Sequence, residues 1–282
     1  DDSTKQLTIN NQVENKDNEH SIIITFETKE NIRSSVLIGD TTNDYNNCSI
    51  TISPNLEEKT SETTTEFVFV VDCSGSMSGR SISKAAECLE LFIRSLPENS
   101  YFNIVRFGSS YDKLFESSVQ YNESNIKKAL ELASNLKANL RGTRIYDPLN
   151  DIYSKQNEFG QRQIFIMTDG EVWNVSDVIE LVSSHSNENR CFTIGIGRGC
   201  DAGLVEGIAN SSGGKCDFVQ EGDSISEKVI PQLECSLHGV LTSIEVNIEG
   251  QENDSFQISP YPLPILSSKG SWVVYLRSKK KD

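Results

Sequence analysis

Between Glu66 and Val240, unbroken apolar runs alternate with segments whose apolar residues recur every three or four positions. EFVFVVD (Glu66–Asp72), YFNIVRF (Tyr101–Phe107), RQIFIMT (Arg162–Thr168) and CFTIGI (Cys191–Ile196) read as strands covered on both faces, with Lys215–Val219 closing the series. Ala85, Leu89, Phe92, Ile93 and Leu96 form a helical stripe that Pro97 stops, and Ile126, Ala129, Leu130, Ala133, Leu136 and Leu140 form a second. Val175–Val182 and Leu204–Ala209 predict shorter helices, and Ile225–Val240 a last helix interrupted at Pro231. Strands alternating with helices of this length predict an α/β fold: a doubly wound, mostly parallel six-stranded sheet with helices on both faces.

Outside that region the period is two or absent. Residues 1–19 are polar and expected to be poorly ordered; Ser21–Phe26, Ser34–Ile38 and Ser49–Ser53 read as strands, and PNLEEKTSETTT (Pro54–Thr65) as a linker. After Val240, SIEVNI (Ser243–Ile248) and WVVYL (Trp272–Leu276) are strands separated by the proline-rich SPYPLP (Ser259–Pro264). The expected organisation is therefore 1–65 as an N-terminal segment with strands and linker, 66–240 as the α/β domain, and 241–282 as a small β-rich appendage suited to pair with the N-terminal strands.

Composition narrows the partners. Of 282 residues, 41 are Asp or Glu against 26 Lys or Arg, a net charge of -15, which repels phosphate backbones and argues against nucleic acid. No apolar run is long enough to span a bilayer, so membrane insertion is not expected. The chain opens on Asp1 rather than Met, which leaves both a fragment and a whole protein open. Its 7 cysteines show no CxxC pairing and fit small buried residues in a reducing compartment. The Lys279–Lys281 run reads as a solvated tail.

In an open parallel sheet, ligands collect beyond the carboxyl ends of the strands. Asp72 ends the first buried strand, with Ser74 and Ser76 in the turn after it; Asp169 ends a later strand; and Thr143 lies in the loop RGTRIYD after a helix. Two carboxylates and three hydroxyls are an all-oxygen set suited to Mg²⁺, Mn²⁺ or Ca²⁺ rather than Zn²⁺. Each piece also has a plainer reading: Ser76 or Ser78 as a helix cap, Asp169–Gly170 as a turn.

DCSGS followed by Thr143 and Asp169 resembles the metal-ion-dependent adhesion site of von Willebrand factor type A domains. FVFVVDCSGSM, SLPENSYFNIVRFGSSYDKLF, the GT of RGTRIYDPL, IFIMTDGEV and CFTIGIG are similar to the subfamily that carries a vault/inter-α-trypsin-like (VIT) domain before the A domain, and residues 1–65 would then hold a remnant of that domain. The resemblance implies that Ser74, Ser76 and Thr143 hold a divalent cation, partly through water, with Asp72 and Asp169 as supports. An acidic residue of a partner protein would complete the octahedron. It implies a metal-dependent protein-interaction module, cytoplasmic rather than secreted, with a structural building block of a large assembly as the alternative.

Some neighbours leave two readings open. Arg141 and Arg144 flank Thr143 and either draw in an acidic ligand or are surface arginines without a role. Met77 and Trp173 either line the ligand face or pack, Met77 as a cap on the core and Trp173 at a loop edge. The resemblance also raises a shift of the last helix on ligand binding, which Pro231 would alter. An enzyme is not expected. Aspartyl-phosphate chemistry needs a second aspartate where Ser74 stands, and His20, His185 and His238 read as surface or cap histidines rather than bases for a serine nucleophile.

Overall fold

The computed structural model describes residues 8–12, 23–27, 32–38, 45–54, 64–157, 159, 162–170, 172–197, 199–238, 240–241, 247–248, 256–260, 266–267 and 272–279. They fall into two compact units, Asp1–Lys59 with His238–Asp282, and Thr60–Leu237. The first unit opens with strands β1 (Thr8–Gln12), β2 (Ile23–Glu27), β3 (Ile32–Ile38) and β4 (Tyr45–Pro54). β1 lies where the polar composition predicts disorder; its backbone pairs with β2 over all five residues and with β13 at Thr8 and Ile9. The rest of residues 1–19 and the centre of the expected linker lie outside the described residues.

The α/β unit comprises β5 (Thr65–Asp72), α1 (Arg80–Ser95), β6 (Ser100–Phe107), β7 (Tyr111–Lys113), β8 (Val119–Gln120), α2 (Glu123–Ser134), α3 (Tyr146–Ser154), β9 (Arg162–Thr168), α4 (Val175–Ser184), β10 (Asn189–Ile196), α5 (Ala202–Ser211), β11 (Cys216–Val219) and α6 (Ser226–Leu237). The strand order β11-β10-β9-β5-β6-β7 puts β5 at the centre, and β11, β10, β9, β5 and β6 are mutually parallel. Seven strands replace the expected six, because the short β7 and β8 both pair antiparallel to β6. YDK and VQ are too short and polar to show a strand period.

The two faces of β5 divide the core. Phe67, Phe69 and Val71 pack with Phe92 of α1, Phe165 and Phe192; Val68 and Val70 pack with Leu149, Ile152, Val178 and Ile208. This two-sided burial is why the run shows no alternation. The helical stripe expected through Leu140 ends earlier: α2 stops at Ser134, and Leu136 reaches the core from the following turn. α3 has no sequence forecast, since Asp147–Pro148 suggests a turn; Pro148 sits in its first turn, where an amide hydrogen has no helical partner to lose. Pro231 does not interrupt α6, which runs through it with Val229, Gln232 and Leu233 buried.

The first unit resumes with β12 (Val240–Leu241), β13 (Asn247–Ile248), β14 (Phe256–Ser259), β15 (Leu266–Ser267) and β16 (Trp272–Lys279). β16 joins β4 over eight register pairs, Trp272↔Ile52 through Lys279↔Tyr45, in the sheet β14-β16-β4-β3. β13 pairs with β1, and β12 with β15. Val274 opposite Ile50 and Leu276 opposite Cys48 are buried, whereas Val273 and Tyr275 are exposed, the alternation of a sheet with one covered face.

Candidate metal centre

β5 carries the Asp72 carboxylate into the interior, where it has no exposed surface. Asp72 Oδ1 accepts from the Ser74 amide at 2.8 Å and Oδ2 from Thr168 Oγ1 at 2.6 Å, and Thr168 Oγ1 accepts from the Gly170 amide at 2.9 Å. Burial pushes the Asp72 pKa up; hydrogen bonds from Thr168 and Ser74 oppose the rise, and the nearby charge of Asp169 adds to it. Ser74 is buried and Ser76 exposed, with their hydroxyls 2.9 Å apart. Cys73 is a packing residue, its thiol pushed up to about 12 mainly by burial.

Met77 belongs to the core. It is wholly buried among the residues that cover α1, so it is unavailable to a ligand. Met77 O accepts from Ile82 N at 2.7 Å, which ties the loop to the first turn of α1.

Thr143 reaches the same place through a backbone zipper. Cys73 N donates to Phe107 O (2.8 Å), Leu140 N to Cys73 O (2.9 Å) and Gly75 N to Arg141 O (2.6 Å), while Ser109 N donates to Leu140 O (2.7 Å) and Arg144 N to Gly108 O (2.9 Å). The Ser109 hydroxyl accepts from Gly142 N at 2.9 Å. Three loops, after β5, after β6 and before α3, are thereby stitched side by side. A Cβ on Gly108 would lie 2.4 Å from Leu140 Cβ and 2.4 Å from its carbonyl oxygen, so only glycine admits the contact. Arg141, at φ 68, adopts a left-handed conformation uncommon outside glycine, which aims its carbonyl at Gly75. Through that carbonyl the Arg141 backbone braces the loop after β5. The side chains of Arg141 and Arg144 are exposed, and Thr143 is half-buried.

Asp169 follows β9 and is 9% exposed; its Oδ1 is buried and has no hydrogen-bond partner. Its carbonyl accepts from Asp201 N at 3.0 Å, and Gly170, at φ 75, lets the chain turn against Asp201. An unpaired buried carboxylate oxygen is costly unless something cationic or protic meets it. Among the described residues, no group of three His, Cys, Asp or Glu side chains is placed to hold a metal. A cation here would rest on two carboxylates and the hydroxyls of Ser74, Ser76 and Thr143, and the orphaned Asp169 oxygen fits such an ion. Trp173, 86% exposed, does not pack at the loop edge.

Sequence reasoning missed Thr168, Gly108 and Ser109. Thr168 carried a readable signal, a hydroxyl residue immediately before the strand-ending carboxylate; Gly108 and Ser109 act through tertiary approach, which leaves no local pattern. His185 caps α4, its Nδ1 2.9 Å from Leu181 O and its ring stacked on Tyr153 at 4.5 Å. His20 lies outside the described residues.

The von Willebrand factor type A domain profile matches residues 65–218, more than half of the chain. The chain belongs to this family. Domains of this family generally mediate protein interactions. A von Willebrand factor A domain-containing protein of Dictyostelium discoideum is 43% identical over 184 residues, covering 64% of this chain and 20% of that protein. Von Willebrand factor A domain-containing protein 5A of Rattus norvegicus is 40% identical over 194 residues, 65% of this chain and 24% of the relative. The chain thus spans about a fifth to a quarter of these relatives' length. In fold, the chain resembles a von Willebrand factor type A structure from Catenulispora acidiphila, with TM-score 0.64, 14% identity, and coverage of 89% of this chain and 66% of that one. BatB from Bacteroides thetaiotaomicron has TM-score 0.51 at 16% identity, covering 61% of this chain and 97% of its own. No helix among the described residues of this A-domain chain is long and apolar enough to cross a membrane.

Proposed function

We propose that the A domain is a metal-dependent adhesion module in which Mg²⁺, or Mn²⁺ or Ca²⁺ in its place, joins the chain to an acidic residue of a partner protein. The observation that carries this reading is the buried, unpartnered Asp169 Oδ1 in a site already containing the buried Asp72 carboxylate. Ser74, Ser76 and Thr143 would hold the ion, and Asp72 and Asp169 would balance its charge. When bound, the ion supplies an electrophilic position for an incoming carboxylate. Hydroxyls are weak donors and two carboxylates only neutralise a divalent charge, so that position stays attractive to an anion. This chemistry makes and breaks no covalent bond, so the module is not read as an enzyme. The seven free thiols support a reducing, cytoplasmic setting, and the motif resemblance supports pairing with a VIT-type domain in a longer scaffold protein.

One observation favours a second reading, a structural block whose site needs no ion. Both Asp72 oxygens already accept hydrogen bonds, and Ser74 and Ser76 bond each other, so the loop is held without a cation. Calorimetric titration of Mg²⁺ and Mn²⁺ separates the two. The adhesion reading expects one saturable site that Thr143→Ala removes while the fold is kept; absence of binding in the unaltered chain overturns it and leaves the structural block standing.

A further inference from the structure

Beside the candidate metal centre, an open groove of about 670 Å³ runs between α3 and α4, and Arg144, Asp147, Trp173, Asp177 and Glu180 are among its lining residues. The two loops that bear Thr143 and Asp169 lead directly into it: Arg144 follows the first, and Trp173 lies in the turn before α4. The groove carries three carboxylates against one guanidinium, and none of these four charges forms an ion pair among the described residues. Trp173 stands 86% exposed on its wall. Leaving an indole in water forfeits the burial that such a ring ordinarily gains, and its face attracts a cation.

We infer that this groove receives a lysine or arginine side chain of the same partner whose carboxylate completes the metal site. The recognised element would be a short segment with an acidic residue and a nearby basic one. This rests on the metal-dependent reading above and adds the partner's second determinant. Charge complementarity decides the occupant: an acidic side chain would face Asp147, Asp177 and Glu180, and an aliphatic one would leave them desolvated. A basic side chain lays its methylene stem or planar head along Trp173 while its charge meets the carboxylates. Arg144, nearest the Thr143 loop, repels that charge and favours the end where the partner's carboxylate lies, which orients the segment.

The test uses the whole chain on an immobilised peptide array, in which a fixed Asp is flanked by positions varied among Lys, Glu, Ala and Leu. Retention is compared in Mg²⁺ and in chelator. The expected result is Mg²⁺-dependent retention that needs the Asp and is strongest with Lys at one fixed offset. Glu180→Lys, an exposed change outside the metal loops, should lower retention of the Lys-bearing peptides about tenfold and move the preference to Glu. Thr143→Ala should abolish retention of all peptides. Mg²⁺- and Asp-dependent retention with no Lys preference, or with a preference that Glu180→Lys leaves unchanged, overturns the groove assignment and leaves the metal reading standing. Retention that needs neither Mg²⁺ nor Asp overturns the metal reading, and this inference with it.

Discussion

Thr168 Oγ1 lies 2.6 Å from Asp72 Oδ2 and accepts from the Gly170 amide at 2.9 Å, so one hydroxyl ties the carboxylate that ends β5 to the turn that carries Asp169. Neither bond has water to replace it, since Asp72 and Thr168 are buried at 0% and 1% exposure. Thr168→Val keeps the shape and deletes the hydroxyl, leaving a charged oxygen and an amide without partners. The expected cost is about 2–3 kcal/mol in urea-induced unfolding, because hydrogen bonds to charged groups exceed neutral ones. Thr168→Ser keeps the hydroxyl and should recover most of that loss. Equal losses for the two variants would mean that the methyl group, not the bond, matters at this position.

The same burial makes Asp72 a liability when no cation is present. Burial holds its pKa above the ordinary carboxylate value, with Asp169's charge contributing. The folded state therefore binds the proton more tightly than the unfolded chain does. Stability from this group is greatest below the unfolded pKa and falls as pH rises through the folded one, so at neutral pH the charge destabilises. In chelator at pH 7, Asp72→Asn is expected to melt at a higher temperature than the unaltered protein. In Mg²⁺ the order should reverse: the unaltered chain gains about 2.7 kcal/mol at a hundredfold excess over Kd, and the variant gains little. A melting temperature lowered by Asp72→Asn in chelator would show that its accepted hydrogen bonds outweigh the burial of its charge.

How much of this was legible from the chain depends on whether the cause is local. The strand β5 and the stripe of α1 were readable because burial on two faces, or on one helical stripe, imposes a period on neighbouring residues. That Asp72 closes β5, with Ser74 and Ser76 in the turn after it, and that Asp169 follows β9 was readable because the buried apolar runs end there. β7 and β8 were not, since three and two residues carry no period, and α3 was hidden by a proline whose position in the first turn makes it harmless. Met77 and Trp173 show the limit most sharply. Both sit in loops near the site, one wholly buried and the other 86% exposed, and nothing in their local sequence distinguishes them. Their sides are set by tertiary packing.

Gly108 tests whether Thr143 depends on the stitched loops. An added Cβ meets Leu140 Cβ and carbonyl oxygen at 2.4 Å, closer than side chains tolerate. Gly108→Ala must therefore push the loop before α3 away, disturbing the bonds from Ser109 N to Leu140 O and from Arg144 N to Gly108 O. The expected loss is about 2–3 kcal/mol of stability, with Mg²⁺ affinity lowered at least about tenfold although no ligand is altered. Calorimetry on the folded variant checks this; unchanged affinity would show that Thr143 is positioned without the zipper.

Pro231 offers the converse case, a residue whose removal should strengthen the fold. It lies inside α6, past the first turn, so its missing amide hydrogen leaves the Glu227 carbonyl without its helical donor and its ring crowds that carbonyl. The helix persists because Val229 and Leu233 are buried in the core and Gln232 Nε2 donates to Thr193 O at 2.9 Å, anchoring both sides of the proline. Further along, Arg190 Nη1 donates to Cys235 O at 3.1 Å, a tie from β10 to the end of the same helix. Held at these points, α6 pays for the proline locally without unwinding. Pro231→Ala restores the donor and relieves the crowding, while the unfolded chain regains some freedom. The net expectation is about 1–2 kcal/mol of added stability, together with slower amide exchange for residues 230–234. A variant that is no more stable, with exchange unchanged, would show that the ring's own packing already offsets the lost hydrogen bond.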